Sequence, residues 1–324
     1  MSVLLVDIGN TRVKWAYLAR GRLGRQHAEA HAGWSAEDFA RRVFGKKKGI
    51  SRILVSSVAG DRVNRLFTAA ARTAAGGGRV GGVDAERRGG RVRGATAGQG
   101  VARQARVGHD SEGRRGTLAP EFVVSQREAG GVTTTYLEPW RLGVDRFAMA
   151  IGGHQLARPR PVCIAAVGTT LTIDLVDGTG RHLGGAILPS PSLMVDSLLN
   201  NTDGIRKRAK GGESGDRSLF ARTTRTAIEQ GALYAAAATV DRAAEEARWV
   251  LDRRPLLLVT GGGAADVAPL IRTPHTAVPD LVLQGLAVLA VGPGAPSGEK
   301  KAKEEGVKRV ERWARAERQQ KVER

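Results

Sequence analysis

The chain has 324 residues, 41% of them hydrophobic, and a formal net charge of +19. This length is sufficient for two domains of ordinary size, each with a sizeable core. The single cysteine excludes a disulfide framework and is typical of a reducing compartment. Because no signal-peptide pattern and no apolar run of membrane-spanning length is found, we expect a cytoplasmic protein without a membrane partner.

The positive charge is unevenly distributed. Residues 76–118 and 293–324 together hold +9 of the +19 charges. The rest of the chain keeps a basic balance that suits an anionic ligand. Nucleic-acid binding is the alternative explanation of such a charge, but a solvated basic surface is the simpler one.

The chain begins with a short buried strand that ends in a carboxylate. Residues 3–6 are apolar, Asp7 follows them, and Gly9 with Asn10 forms a tight turn into a second strand over residues 13–18. The sequence therefore predicts a hairpin with polar groups at its tip.

The residues at this tip are of the types that bind phosphate. Gly9 lets backbone N–H groups approach an oxyanion, while Asn10 and Thr11 add neutral donors. Asp7 can hold a hydrated Mg²⁺, and Lys14 supplies a point charge. The alternative is an ordinary hairpin turn with an aspartate beside it.

In the rest of the first half, the sequence pattern predicts a third strand, followed by a helix, a strand and a second helix. These elements are a strand within residues 20–29, a helix capped by Ser35 and ending near 44, a strand over 52–58 and a helix over 61–75. Residues 76–118 are rich in Gly and Arg and have no sustained period, so a disordered insertion is predicted. A strand over 121–125 resumes the order.

The second half repeats this plan. The predicted strands are 162–167, 171–176, 181–187 and 256–260, and the predicted helices are 147–156, 192–199, 218–248, 266–271 and 281–291. Gly168 and Thr169 occupy the turn that corresponds to the first hairpin, and Gly261 begins a second glycine-rich turn. We therefore predict an α/β fold of two βββαβα halves around a central cleft.

Residues 143–146, Gly-Val-Asp-Arg, stand between a polar loop and a helix. At a helix N-terminus Asp145 can accept a proton from an alcohol, and Arg146 can hold a carboxylate bidentately. The alternative is a capping aspartate with a solvated neighbour. The six histidines show no metal-binding spacing, and Cys163 is predicted to be an unreactive residue of the core.

Five segments together resemble the type III pantothenate kinases, which have the acetate and sugar kinase/Hsc70/actin fold. They are DIGNTRVKWA at 7–16, YLEPWRLGVDR at 136–146, VGTTLTIDLVDGTGRHLGGAILPSPSLM at 167–194, TRTAIEQG at 224–231, and LVTGGGA with LVLQGLAVLA at 258–264 and 281–290. The resemblance covers about residues 1–75 and 120–291.

The resemblance implies a duplicated actin-like (ribonuclease H-like) ATPase fold with halves at 1–140 and 141–292 and a charged tail at 293–324. It implies ATP-dependent phosphorylation of pantothenate to 4'-phosphopantothenate, the first step of coenzyme A biosynthesis, by a homodimer that uses Mg²⁺ and a monovalent cation, K⁺ or NH₄⁺. By family pattern, ATP is bound by Asp7, Ile8, Gly9, Asn10, Thr11, Arg12, Val13, Lys14 and Thr169. The acceptor is bound by Tyr136, Gly143, Val144, Asp145, Arg146 and Thr224, with Asp145 as the proton acceptor and Asp7 organising Mg²⁺.

The sequence departs from the family pattern at three positions. Ala166 stands where many members have the aspartate that binds potassium, Thr170 replaces an alanine, and Ser190 replaces a glycine. If position 190 requires a positive φ, serine costs stability there. Two other functions are therefore retained as alternatives: a kinase of the same fold with another substrate, and a basic non-catalytic regulatory or nucleic-acid-binding protein on a kinase scaffold.

Overall fold

The computed structural model describes residues 2–45, 49–76, 118–211, 215 and 217–291. The predicted insertion, apart from its ends, and the predicted tail lie outside the described residues. Among the described residues, no helix has both the length and the apolar content to cross a lipid bilayer.

The first sheet is built around the strand that opens the chain. Its strands are β1 (Ser2–Ile8), β2 (Arg12–Ala19), β3 (Arg22–Leu23), β4 (His27–Ala30), β5 (Ile50–Ser57) and β6 (Pro120–Phe122). Their order is β3-β2-β1-β5-β6, and β4 also pairs with β2. The first three strands are antiparallel, whereas β1, β5 and β6 are parallel.

The second sheet repeats this arrangement. Its strands are β7 (Glu128–Ala129), β8 (Val132–Thr134), β9 (Val162–Val167), β10 (Thr170–Val176), β11 (Arg181–Pro189), β12 (Leu256–Thr260) and β13 (His275–Ala277). The order β11-β10-β9-β12-β13 has the same directions as β3-β2-β1-β5-β6. The predicted duplicated α/β fold is confirmed.

The helices cover both sheets. They are α1 (Ala36–Phe39), α2 (Asp61–Gly76), α3 (Val144–Ala157), α4 (Pro191–Asn201), α5 (Asp203–Arg208), α6 (Thr224–Leu251), α7 (Ala264–Val267) and α8 (Leu281–Val291). Short non-α turns occupy Ala40–Phe44, Pro139–Arg141 and Ala268–Leu270.

Helices α3 and α8 lie between the two sheets and share one apolar core with both of them. Leu5 and Leu54 of the first sheet, Ile164 and Leu258 of the second, and Phe147 of α3 belong to this core. Helices α1 and α2 cover the outer face of the first sheet, and α6 and α7 cover that of the second. Because α3 and α8 pack against both sheets, they connect the two halves.

Three details differ from the predictions. The strand predicted within residues 20–29 is divided into β3 and β4, and it follows a turn in which Arg20 and Gly21 have positive φ. The helix capped by Ser35 changes after Phe39 into a wider π-helical turn. The chain changes sheets between Phe122 and Glu128, before the predicted boundary after residue 140, because β7 and β8 pair into the second sheet through β11.

Candidate active site between the two halves

The tip of the first hairpin is polar and exposed. The Gly9 N–H donates to the Arg12 carbonyl at 2.9 Å, and the ring of His31, through Nε2, lies 2.8 Å from the Gly9 carbonyl oxygen. Asn10, Thr11 and Arg12 are exposed at this tip. Two other members of the predicted ATP-binding run have fully buried side chains, those of Ile8 and Val13, so only their backbone is available to a ligand.

The corresponding turn of the second half lies against the other glycine-rich turn. The Gly168 N–H donates to the Thr170 carbonyl at 2.9 Å, and the Gly263 N–H donates to the Val167 carbonyl at 3.0 Å. Gly261 has a φ of +99°, and a Cβ there would lie 2.2 Å from the Val167 oxygen. Thr169 is exposed at this turn. Only glycine at position 261 allows the two turns to approach so closely.

A lysine connects the first hairpin to the second half. Lys14 is paired with Asp7 across β1 and β2, and its Nζ lies 3.4 Å from Oδ1 of Asp280. Asp280 immediately precedes α8, in the segment that leads away from β13. The carboxyl ends of parallel strands in both sheets therefore open into one cleft, which is where open α/β sheets bind their ligands.

Asp7 is a buried carboxyl group with a strongly altered affinity for protons. Burial raises the pKa of Asp7 to about 7, and the nearby charges of Asp145 and Asp280 also raise it. The ammonium of Lys14 and the hydroxyl of Ser56 lower this pKa and offset part of the effect of burial. A carboxyl group in this state is ready to be neutralised by a cation, because a bound cation favours its ionised form.

The oxygen chemistry of this position fits Mg²⁺, which prefers carboxylate and phosphate oxygens. The described residues contain no preformed cluster of three His, Cys, Asp or Glu side chains that could hold a metal. Asp7 would therefore supply one carboxylate to an ion whose other ligands are phosphate oxygens and water.

Asp145 lies in the first turn of α3, where its Oδ1 accepts the backbone N–H of Arg146 at 2.8 Å. Burial raises the pKa of Asp145 and the Asp174 charge adds to this, while the N–H and charge of Arg146 lower it. Gly143 is the N-cap, and a Cβ there would lie 2.7 Å from Oδ1 of Asp145. Gly143 therefore leaves the space that this carboxylate occupies.

Arg146 is placed differently from the sequence-based prediction. Its Nε and Nη2 donate to Oδ2 and Oδ1 of Asp174 at 2.9 and 2.6 Å, and its side chain is almost fully buried. The bidentate partner of Arg146 is thus Asp174 and not a ligand carboxylate. Burial lowers the pKa of Arg146, but the bonds to Asp174 outweigh this and keep its pKa above the usual value.

The remaining edge of Arg146 reaches Tyr136. Its Nη1 donates to the Tyr136 hydroxyl at 2.9 Å, and the guanidinium carbon lies 5.7 Å from the centre of the ring. Since the hydroxyl oxygen accepts from a cation, its own proton is polarised toward another acceptor. Tyr136 and Arg146 thus form one unit.

Two further positions that the resemblance assigns to the acceptor site lie at the starts of helices. Val144 is the first residue of α3, and Thr224 is the first residue of α6, just after the capping residue Thr223. Ser190 has a φ of −68° and caps α4 by accepting the Leu193 N–H, so the serine there causes no backbone strain.

Cys163 lies in the buried core, where burial raises the pKa of its thiol to about 12.

The surroundings of Ala166 do not fit a monovalent cation held by a carboxylate. Ala166 is paired with Thr172 on one side and Thr260 on the other, and both threonines are buried. Oγ1 of Thr172 has no hydrogen-bond partner among the described residues. One neutral hydroxyl beside a methyl group is a poor substitute for an anionic ligand, so we assign no step to such an ion.

Sequence reasoning did not identify Ser56, Asp280, Asp174 and His182 as parts of this region. For Asp174 a signal was present, because a charged residue inside an otherwise apolar strand requires a buried partner. The glycine pair at 184–185 in the neighbouring strand indicated that other protein atoms pack closely against the backbone there. Asp280 and Ser56 carry no comparable local signal.

The family model described as type III pantothenate kinase matches residues 3–78 and 86–246. A type III pantothenate kinase from Herminiimonas arsenicoxydans is 33% identical over 89% of this chain and 97% of its own length. Relatives of the same name from Janthinobacterium sp. and Nitrosococcus oceani are 33% and 28% identical, each over 89% of this chain and over 97% and 93% of their own. The chain belongs to the type III pantothenate kinase family.

Proposed function

We propose that this protein transfers the γ-phosphoryl group of ATP to the primary alcohol of pantothenate and forms 4'-phosphopantothenate, which opens coenzyme A biosynthesis. The observation that carries the proposal is the position of Asp145. Its charge acts on Asp7, at the end of the first hairpin, and it is itself influenced by Arg146 and Asp174 on the other side. These interactions support a role for Asp145 between the nucleotide turn proposed at residues 7–14 and the acceptor site proposed around Tyr136 and Arg146.

In the proposed reaction, Asp145 accepts the proton of the acceptor alcohol while the alcohol oxygen bonds to the γ-phosphorus. The bond from that phosphorus to the β–γ bridging oxygen breaks, and ADP leaves with the electron pair. The raised pKa of Asp145 makes it a better proton acceptor than an exposed aspartate. Phosphoryl transfer otherwise depends on positioning and charge neutralisation, which the two glycine turns and Lys14 are placed to provide.

The nucleotide contacts are proposed for residues 7–14 and Thr169, mainly through the backbone and the exposed tip of the first hairpin. Mg²⁺ would neutralise the phosphate oxygens with Asp7 as its protein ligand. On the acceptor side, Arg146 would hold the Tyr136 hydroxyl through Nη1, and that hydroxyl would donate to pantothenate. Gly143, Val144 and Thr224 complete the proposed acceptor site.

The test is ADP release by the purified protein with ATP, Mg²⁺ and a panel of small alcohols and acids that includes pantothenate. We expect pantothenate to give the highest kcat/KM, and rates in K⁺ and in a K⁺-free buffer to agree within about twofold because Ala166 offers no carboxylate. Higher activity on another alcohol would identify a different kinase of this fold. No ADP release, together with DNA binding that weakens steeply with salt, would support the non-catalytic alternative.

We further propose a cytoplasmic homodimer. Each residue of α4 is at least partly exposed, and Ile187, Leu193 and Leu198 of β11 and α4 expose 63%, 43% and 40% of their surface. Apolar side chains on consecutive elements are typical of a surface that a second copy covers.

Light scattering should give a mass of about twice 34.3 kDa for the wild type. Leu193→Asp should shift the protein to the monomer, because it places a charge in the apolar patch that the proposed dimer would bury. The control is Leu156→Asp, at a half-exposed leucine of α3. A wild type that stays monomeric at high concentration, or a dimer that both variants leave intact, would exclude this interface.

A further inference from the structure

A closed ring of buried hydrogen bonds lies behind the acceptor side of the site. Arg146 joins Tyr136 to Asp174, as described above. Oδ1 of Asp174 also lies 2.8 Å from Nε2 of His182, and Nδ1 of His182 lies 3.2 Å from Oγ1 of Thr134. The ring closes where the Tyr136 backbone N–H donates to the same Thr134 oxygen at 3.2 Å.

The protons of this ring can be assigned in only one consistent way for a neutral imidazole. Asp174 accepts from Arg146, so Nε2 of His182 must be the donor to that carboxylate. Nδ1 of His182 then accepts the Thr134 hydroxyl proton, which leaves the Thr134 oxygen to accept from Tyr136. The ring therefore starts at the Tyr136 backbone and returns to the Tyr136 hydroxyl with every donor matched to an acceptor.

The ring lies in a densely packed part of the protein. His182 is 0% exposed, and Asp174 and Thr134 are each 1% exposed. A Cβ at Gly185 would lie 2.6 Å from Oδ1 of Asp174 and 2.7 Å from Nη2 of Arg146. Glycine at this position is thus what allows the carboxylate and the guanidinium to meet beneath β11.

Such a charged ring is a poor device for stability alone, because desolvation offsets much of the attraction in a buried ion pair. The ring fixes direction, since Arg146, Asp174 and His182 are each held at two or more side-chain atoms. We propose that Asp174, His182 and Thr134 are positioning residues that hold Arg146 and Tyr136 in the orientation that binds the acceptor alcohol. This inference rests on the proposed function and assigns a role in the acceptor site to residues that do not reach the acceptor.

The first test compares Thr134→Val with Thr134→Ser. Valine has nearly the shape of threonine but leaves Nδ1 of His182 and the Tyr136 N–H unmatched, whereas serine keeps the hydroxyl. We expect the valine variant to raise the KM for pantothenate about tenfold, because Tyr136 and Arg146 lose contacts that orient them. Its KM for ATP should stay within about twofold, and the serine variant should match the wild type.

A second pair covers the case in which the valine variant does not fold. His182→Gln keeps an N–H donor toward Asp174, whereas His182→Met has a similar volume and no donor. The methionine variant should have the higher KM for pantothenate, again with the KM for ATP nearly unchanged.

The proposal would be overturned if the valine and methionine variants kept the wild-type KM for pantothenate, or if the KM values for both substrates rose in parallel. A purely structural role would lower the folded fraction and the rate without changing the ratio of the two KM values. Failure of the wild type to phosphorylate pantothenate would instead contradict the proposed function, so the two failures are distinguishable.

Discussion

Replacing Asp145 by asparagine should lower kcat for pantothenate phosphorylation about 10²–10⁴-fold and leave ATP binding nearly unchanged. Asparagine keeps an oxygen that can accept the Arg146 N–H at the start of α3, so the local fold is preserved. It cannot take the proton of the acceptor alcohol. Steady-state kinetics and calorimetric titration with MgATP measure the two effects separately.

The matched control for this variant is Asp203→Asn, whose carboxylate is 77% exposed on α5. It removes the same charge from a surface position and should keep wild-type kinetics. An Asp145→Asn enzyme with near wild-type turnover would contradict the assigned role. Loss of ATP binding in that variant would place Asp145 in the nucleotide site instead.

Asp7→Asn is expected to abolish MgATP-dependent turnover and to stabilise the nucleotide-free protein at pH 8. The function is lost because asparagine brings no negative charge to Mg²⁺. Stability increases because the wild-type protein must keep a carboxylate ionised in a buried site where its pKa is about 7. Denaturation with urea, with and without MgATP, measures both consequences.

The pH dependence of this stabilisation has a defined sign. The native pKa of Asp7 lies above the ordinary value of 3.8, so the native state holds its proton more tightly than the unfolded chain does. The contribution of Asp7 to stability is therefore fully present below about pH 4 and is lost as the pH rises through 7. The stability advantage of Asp7→Asn should widen between pH 5 and pH 8 by on the order of 2 kcal/mol.

Asp203→Asn serves as the control here too, because it removes a carboxylate that is exposed at the surface. MgATP should raise the stability of the wild type and of the control but not that of Asp7→Asn. An Asp7→Asn protein that is less stable than the wild type by the same amount at pH 5 and pH 8 would show that the native pKa of Asp7 is not raised.

Much of this architecture follows from local sequence pattern. The apolar runs that end in Asp7 and at Val167 predict buried strands, and the glycines that follow predict the turns. Because the two halves repeat the same pattern, the duplicated fold and the cleft were predictable before any contact was known. Asp145 at a helix N-terminus was predictable for the same reason, since residues 143–146 stand between a loop and an apolar helix.

The contacts that were not predictable join distant parts of the chain. Arg146 and Asp174 are 28 residues apart, and Lys14 meets Asp280 only because α8 returns to pack between the two sheets. Local pattern shows that Asp174 needs a partner but not which one. We expected the Arg146 guanidinium to bind a ligand carboxylate bidentately. In the structure the carboxylate of Asp174 occupies those donors instead.

Asp145 is proposed to accept the proton of the primary alcohol of pantothenate as the alcohol attacks ATP. The most direct test is to incubate the purified full-length chain with MgATP and pantothenate and to identify the product by phosphorus and carbon NMR. We predict one phosphomonoester on the primary alcohol carbon for each ADP formed, and almost none with Asp145→Asn. ATP consumption without phosphorylated pantothenate would contradict the proposed reaction, and an undiminished product yield from Asp145→Asn would contradict the role of Asp145.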